Sequence, residues 1–190
     1  RTSVASAIQY MTLGSGWDGP ESYLRAFYET YADPYIGWRS GAKRIVVNFA
    51  DAVPHDCSLG TGRDPGRNGV VGDGDDLFLS TVFPGMAAAN VTLINLFSGG
   101  AGTYNNYWTQ WASQTPGGVN YLINYDGTFP GGVDPGTAIA NIIRAQVSKV
   151  NVLTLRVCPE SAAYAPWLQG VSPSGYSNEA QQAEMTFSIT

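Results

Sequence analysis

Apolar residues along this chain keep two rhythms, one of about 3.6 positions and one of continuous or alternating runs, and these predict a series of helices and strands. From Ser3 to Leu13, Val4, Ala7, Ile8 and Met11 share one helical face before Gly14-Ser15-Gly16 breaks the pattern. Pro20, with Glu21 beside it, marks a helix start that runs to about Ala32 and places Tyr23, Leu24, Phe27 and Tyr31 on its apolar side. Asp33-Pro34 stops it. Lys43 to Ala50 is an apolar run bounded by turns, the pattern of a strand covered on both faces. A loop rich in Gly, Asp and Pro follows from about Pro54 to Gly74, after which Asp75 or Asp76 is placed to cap a helix reaching about Ala89. Asn90 to Phe97 is a second buried-type strand, Tyr104 to Ser113 an aromatic helix, and Val119 to Ile123 a short strand. Asp134-Pro135-Gly136 opens a further helix with Ile139, Ile142, Ile143 and Val147 on one side.

Strands alternating with helices at this pitch predict an α/β fold with a mostly parallel, Rossmann-like sheet flanked by helices. After Val147 the period changes to two, over Val150–Val157 and again over Met185–Thr190, which predicts a small antiparallel β appendage. The expected division is therefore 1–148 for the α/β part and 149–190 for the appendage.

Composition narrows the class. Charged residues make up only 13% of the chain, about half the usual share, and lysine is almost absent. Such surfaces suit secreted, cell-surface or periplasmic proteins, so an extracytoplasmic setting is expected. A net charge of −5 without any basic stripe argues against a nucleic-acid partner. No apolar run approaches the roughly 20 residues of a transmembrane segment. Cys57 and Cys158 form no C-x-x-C pair. They leave open one long-range disulfide, two small buried side chains, or bonds to something outside the chain.

The candidate chemistry lies in residues 18–55. Asp18 and Glu21 stand at a helix start and Asp51 at a strand's carboxyl end, positions that converge on one crevice in open α/β sheets. Carboxylates are hard donors suited to Mg²⁺, Ca²⁺ or Mn²⁺. The bland readings are capping and a favourable helix-dipole contact for Asp18 and Glu21, and a turn cap for Asp51. His55, the only histidine, reads as a ligand, a base, or a satisfied loop residue. Gly72-Asp73-Gly74-Asp75-Asp76 has the look of a calcium-loop fragment but lacks the spacing of an EF-hand, which favours a solvated turn and helix cap. Tyr104, Tyr107, Trp108 and Trp111 form an aromatic set whose helical spacing favours core over contact surface.

The pieces Asp18-Gly19-Pro20-Glu21, Ile36-Gly37-Trp38-Arg39 and Phe49-Ala50-Asp51-Ala52, with His55 shortly after, resemble in their order a von Willebrand factor type A domain, particularly the integrin β-subunit version. The resemblance implies a divalent cation at the top of the sheet, with Glu21 as the acidic ligand before the helix and Asp51 in the strand-end role. It further implies that Asp18 and the carbonyl of Pro20 feed a neighbouring metal site. The family's D-x-S-x-S pentad occurs nowhere in the chain. The expectation is that it lies upstream of Arg1 with the first strand, and that this chain folds only with that segment or a partner. No nucleophile elbow, phosphate loop or dinucleotide fingerprint is present, so binding rather than catalysis is expected. Three functions follow: a metal-dependent adhesion or protein-binding module; a metal-free accessory subunit docked on a larger extracytoplasmic or membrane-associated complex; and, with least support, a hydrolase using Asp51 and His55.

Overall fold

The computed structural model describes residues 18–154, 171–173, 175–180 and 186–189, with Ser6, Gln9 and Tyr10 before them. Most of the helix expected over Ser3–Leu13 lies outside the described residues, as does Cys158. Two compact units are formed, Arg1–Pro130 and Gly131–Thr190. The helix that opens at Pro135 therefore belongs to the second unit, whereas the sequence division assigned it to the first.

In the first unit the order is α1 (Tyr23–Ala32), β1 (Arg44–Ala50), α2 (Leu79–Ala88), β2 (Val91–Phe97), α3 (Thr103–Ala112) and β3 (Val119–Leu122). The three strands form a parallel sheet in the order β1-β2-β3, flanked by helices, an α/β arrangement consistent with a Rossmann-like fold. Both crossovers step the same way across the sheet, and right-handed crossovers then place α2 and α3 on one face. That face carries Val91, Leu93 and Phe97, which join Leu24 and Phe27 of α1, Phe83 and Met86 of α2, and Trp108 and Trp111 of α3 in a single core. Each such side chain, fully buried, contributes about 1.5–3 kcal/mol. Trp108 is the hub. Its ring meets those of Tyr23 at 5.2 Å, Phe27 at 6.1 Å and Trp111 at 5.2 Å, all edge-on.

Position in the sheet decides burial. β2 lies between two neighbours and is buried at every residue, as its apolar run predicts. β1 differs from expectation. Among the described strands it pairs with β2 alone, so it is half-buried from Arg44 to Asn48, and Phe49, just before the buried Ala50 that ends it, is 58% exposed. An apolar run reads the same whether the strand is central or at an edge, since both need β-branched residues. The register also sets Asn48 opposite Asn95 and Asn95 opposite Asn120. Their amides join in a row, Asn48 Nδ2 donating to Asn95 Oδ1 at 2.7 Å and Asn95 Nδ2 to Asn120 Oδ1 at 2.8 Å. Asn120 Nδ2 in turn donates to Asn105 Oδ1 and Thr109 Oγ1 of α3.

Helix ends show where local signals yield to long-range ones. α1 begins at Tyr23, later than Pro20 suggests, because Glu21 is held extended by a parallel bridge to Pro54. At its other end Trp38 Nε1 donates to the carbonyl of Thr30 at 2.6 Å, so the Ile36–Arg39 piece closes a helix. α2 is capped by neither Asp75 nor Asp76. Its Leu79 amide donates to Oδ2 of Asp56 at 2.7 Å, twenty-three residues upstream. α1 and α2 approach closely at Gly85, where a Cβ would lie 2.5 Å from the Tyr31 ring.

The second unit contains α4 (Pro135–Val147), whose amide at Thr137 is capped by Asp134 as the sequence predicts. Here β4 (Lys149–Thr154) pairs antiparallel with β6 (Gly175–Ala180), and β5 (Val171–Ser172) with β7 (Ser188–Ile189). No helix among the described residues is long and apolar enough to cross a membrane.

Candidate functional site at the carboxyl rim of the sheet

At the end of β1 the chain turns through Asp51 and Ala52, and each polar group there has a defined partner. The carbonyl of Ala52 accepts from Trp108 Nε1 at 2.9 Å. The carbonyl of Val53 accepts from the Glu21 amide at 3.0 Å, and Glu21's own carbonyl accepts from the His55 amide at 3.2 Å. These two bonds lay the Asp18–Glu21 strap alongside the loop that follows Asp51. The helix-start and strand-end pieces are thus neighbours through their backbones.

Asp51 is exposed and receives the Tyr23 hydroxyl on Oδ1 at 3.3 Å, while its amide donates to the same hydroxyl oxygen at 3.3 Å. Burial, and the Asp51 charge behind it, pushes the Tyr23 phenol up to about 12. His55 donates from Nδ1 to the carbonyl of Thr61 at 2.7 Å, since a carbonyl can only accept, and this turns Nε2 toward Asp18 Oδ2 at 3.7 Å. Glu21 is engaged through its backbone, with its carboxylate exposed. Pro20 is half-buried just before it.

Beside Asp51 lies a crevice of about 300 Å³ bounded by Phe49, Ser98, Ile123, Tyr125 and Gly127. Tyr125 is 87% exposed and stands on a braced turn: Gly127 N donates to the Asn124 carbonyl at 2.9 Å, and Thr128 N to Asp126 Oδ1 at 2.9 Å. Sequence reasoning missed both aromatics. Asn124-Tyr125-Asp126-Gly127 is a turn signature that could have flagged the second of them.

Asp18, Glu21 and Asp51 carry hard oxygens of the kind divalent cations take, yet among the described residues no group of three or more His, Cys, Asp or Glu side chains is placed to hold one ion. An octahedral shell here would need further oxygens, from water or from beyond these residues.

The acidic loop sits elsewhere, beside α1. Asp64 accepts from the amides of Arg25 and Gly66, Asp75 Oδ2 accepts from those of Arg67 and Asn68, and Asp76 pairs with Arg63 at 3.0 Å. It is a self-bonded turn, with only Asp75 Oδ1 buried and lacking a partner among the described contacts. Glu29 of α1 fastens it to the helix through Arg67 at 2.7 Å and also pairs with Arg25 of its own helix at 2.6 Å, and the guanidinium of Arg67, then that of Arg25, holds the Glu29 carboxyl below its ordinary value of 4.5. A depressed carboxylate stabilises the fold above that value and loses the contribution as pH falls through its folded pKa. The stability gap between the wild type and Glu29→Gln is therefore expected to be constant above about pH 6 and to close in acid. Urea unfolding at several pH values checks this, and a gap that widened in acid would refute it. Of the aromatic set, Trp108 and Trp111 are core, Tyr107 packs against it, and Tyr104 is half exposed.

No protein-family model matches the chain, and no curated protein does.

Proposed function

We propose that this chain is a protein-binding module of the von Willebrand factor A type that works outside the cytoplasm, its partner seated on the carboxyl rim of the sheet. A divalent cation near Asp51 links the rim to an acidic group of that partner. One observation carries this reading: the Asp18–Glu21 strap is hydrogen-bonded alongside the loop after Asp51, and Asp51 itself borders an open crevice of about 300 Å³. Open parallel sheets bind their ligands at this edge. The ion would draw on Asp51, Glu21, Asp18 and the Pro20 carbonyl, and on oxygens supplied from an upstream segment of the same precursor, from a partner, or from water.

The exposed rings of Phe49 and Tyr125 favour a second reading, a metal-free accessory subunit whose rim is an apolar contact for a larger assembly. Thermal melting separates the two. A ligand present at about a hundred times its dissociation constant adds about 2.7 kcal/mol to stability. Millimolar Mn²⁺ is therefore expected to raise the melting temperature of the wild type by several degrees, EDTA to reverse the rise, and Asp51→Ala to abolish it. Melting that ignores both Mn²⁺ and EDTA would reject the metal-dependent form and leave the apolar contact.

A further inference from the structure

We propose that Tyr23 is the positioning residue of Asp51: its hydroxyl occupies Oδ1 and the Asp51 amide together, so that Oδ2 is the oxygen presented to whatever binds at the rim. The inference rests on the reading of Asp51 as the rim's binding carboxylate, and its geometry is independent of that reading. Asp51 follows the last residue of β1 and is exposed, so nothing in the strand ladder orients its side chain. The phenol does so from α1. Its oxygen lies 3.3 Å from both Asp51 Oδ1 and Asp51 N, donating to the first and accepting from the second. A free aspartate rotates about two bonds; a hydroxyl anchored at the Asp51 amide and donating to Oδ1 restricts that rotation.

The phenol is itself fixed. Tyr23 opens α1, its ring stacks on Phe27 at 6.5 Å and meets Trp108 edge-on at 5.2 Å, and Trp108 is tied by its indole nitrogen to Ala52, the residue after Asp51. The turn and the side chain that orients its carboxylate thus share one aromatic anchor. Partners of this kind behind a ligating carboxylate change metal affinity by about 10–100-fold when removed.

The test uses the full chain with ¹³C-labelled tyrosine, as wild type, Tyr23→Phe, Asp51→Asn and the double variant. It has two readouts: the Tyr23 ring-carbon resonance next to the hydroxyl, and Mn²⁺ affinity from the free-ion paramagnetic resonance signal. Asp51→Asn is expected to shift the Tyr23 resonance and to weaken Mn²⁺ binding more than tenfold. Tyr23→Phe is expected to weaken it about tenfold in the wild type and to add nothing in the Asp51→Asn background, which marks two residues acting as one. Where the wild type binds Mn²⁺, equal losses from Tyr23→Phe in both backgrounds or no loss in either would overturn the proposal, as would, in any case, a Tyr23 resonance indifferent to Asp51→Asn. A wild type that takes up no Mn²⁺ while its Tyr23 resonance still answers to Asp51→Asn supports the hold on Oδ1 and overturns the metal reading alone.

Discussion

Asp56→Ala is expected to lower the unfolding free energy by about 2–4 kcal/mol, a large effect for an exchange outside the apolar core. The carboxylate is buried and serves three donors, taking the Ser58 amide at 2.7 Å and hydroxyl at 2.6 Å on Oδ1 and the Leu79 amide at 2.7 Å on Oδ2. Phe78, which precedes α2, offers no side-chain acceptor, so without Asp56 the first turn of that helix keeps a bare N–H. Asparagine restores less than its size suggests. One branch of its amide would set an N–H against an N–H, and Asp56→Asn should recover only part of the loss. Equilibrium urea unfolding measures both variants, and a cost under about 0.5 kcal/mol for the alanine would mean water reaches these donors.

Asn95→Leu is expected to cost about as much, by a different route. Asn95 is fully buried in the middle strand, accepting from Asn48 and donating to Asn120. Leucine there leaves the Asn48 amide hydrogen and the Asn120 carbonyl oxygen facing hydrocarbon, about 1–3 kcal/mol for each group left unmade. Replacing Asn48 and Asn120 as well removes those unpaired groups. The triple variant with leucine at all three positions should therefore unfold at higher urea than Asn95→Leu alone, since apolar replacement of both partners in a hydrogen bond is close to neutral. A triple variant weaker than the single one would show that the row contributes more than its own satisfaction. A one-residue slip of register would bury the same amides without partners, so the row also selects the pairing.

Much of this fold is legible along the chain. The fully buried β2, the apolar face of α1 and the Asp134-Pro135 start of α4 all follow from local pattern, because burial and capping there are decided by near neighbours. What escapes local reading is decided at a distance. Nothing near Leu79 announces that its cap arrives from Asp56, and Asn48, Asn95 and Asn120 become a row only once three strands are in register. The edge status of β1 is likewise a property of strand order. At the rim, α1 begins beyond the Asp18–Glu21 piece, but the strand-end position of Asp51 could be read locally. The phenol behind Asp51 could not, because Tyr23 serves both as an apolar-face residue of α1 and as a hydrogen-bond partner across the turn.

The amides of that row all point one way, each nitrogen toward β3 and α3. Their dipoles add head to tail, and such chains polarise their members. The positive end is spent on Asn105 and Thr109, while the negative end is the side-chain carbonyl of half-buried Asn48, on the β1 flank of the sheet. A hydroxyl or amide hydrogen approaching that flank is drawn in and a carboxylate turned away, so electrical sign as well as shape governs what lies along it.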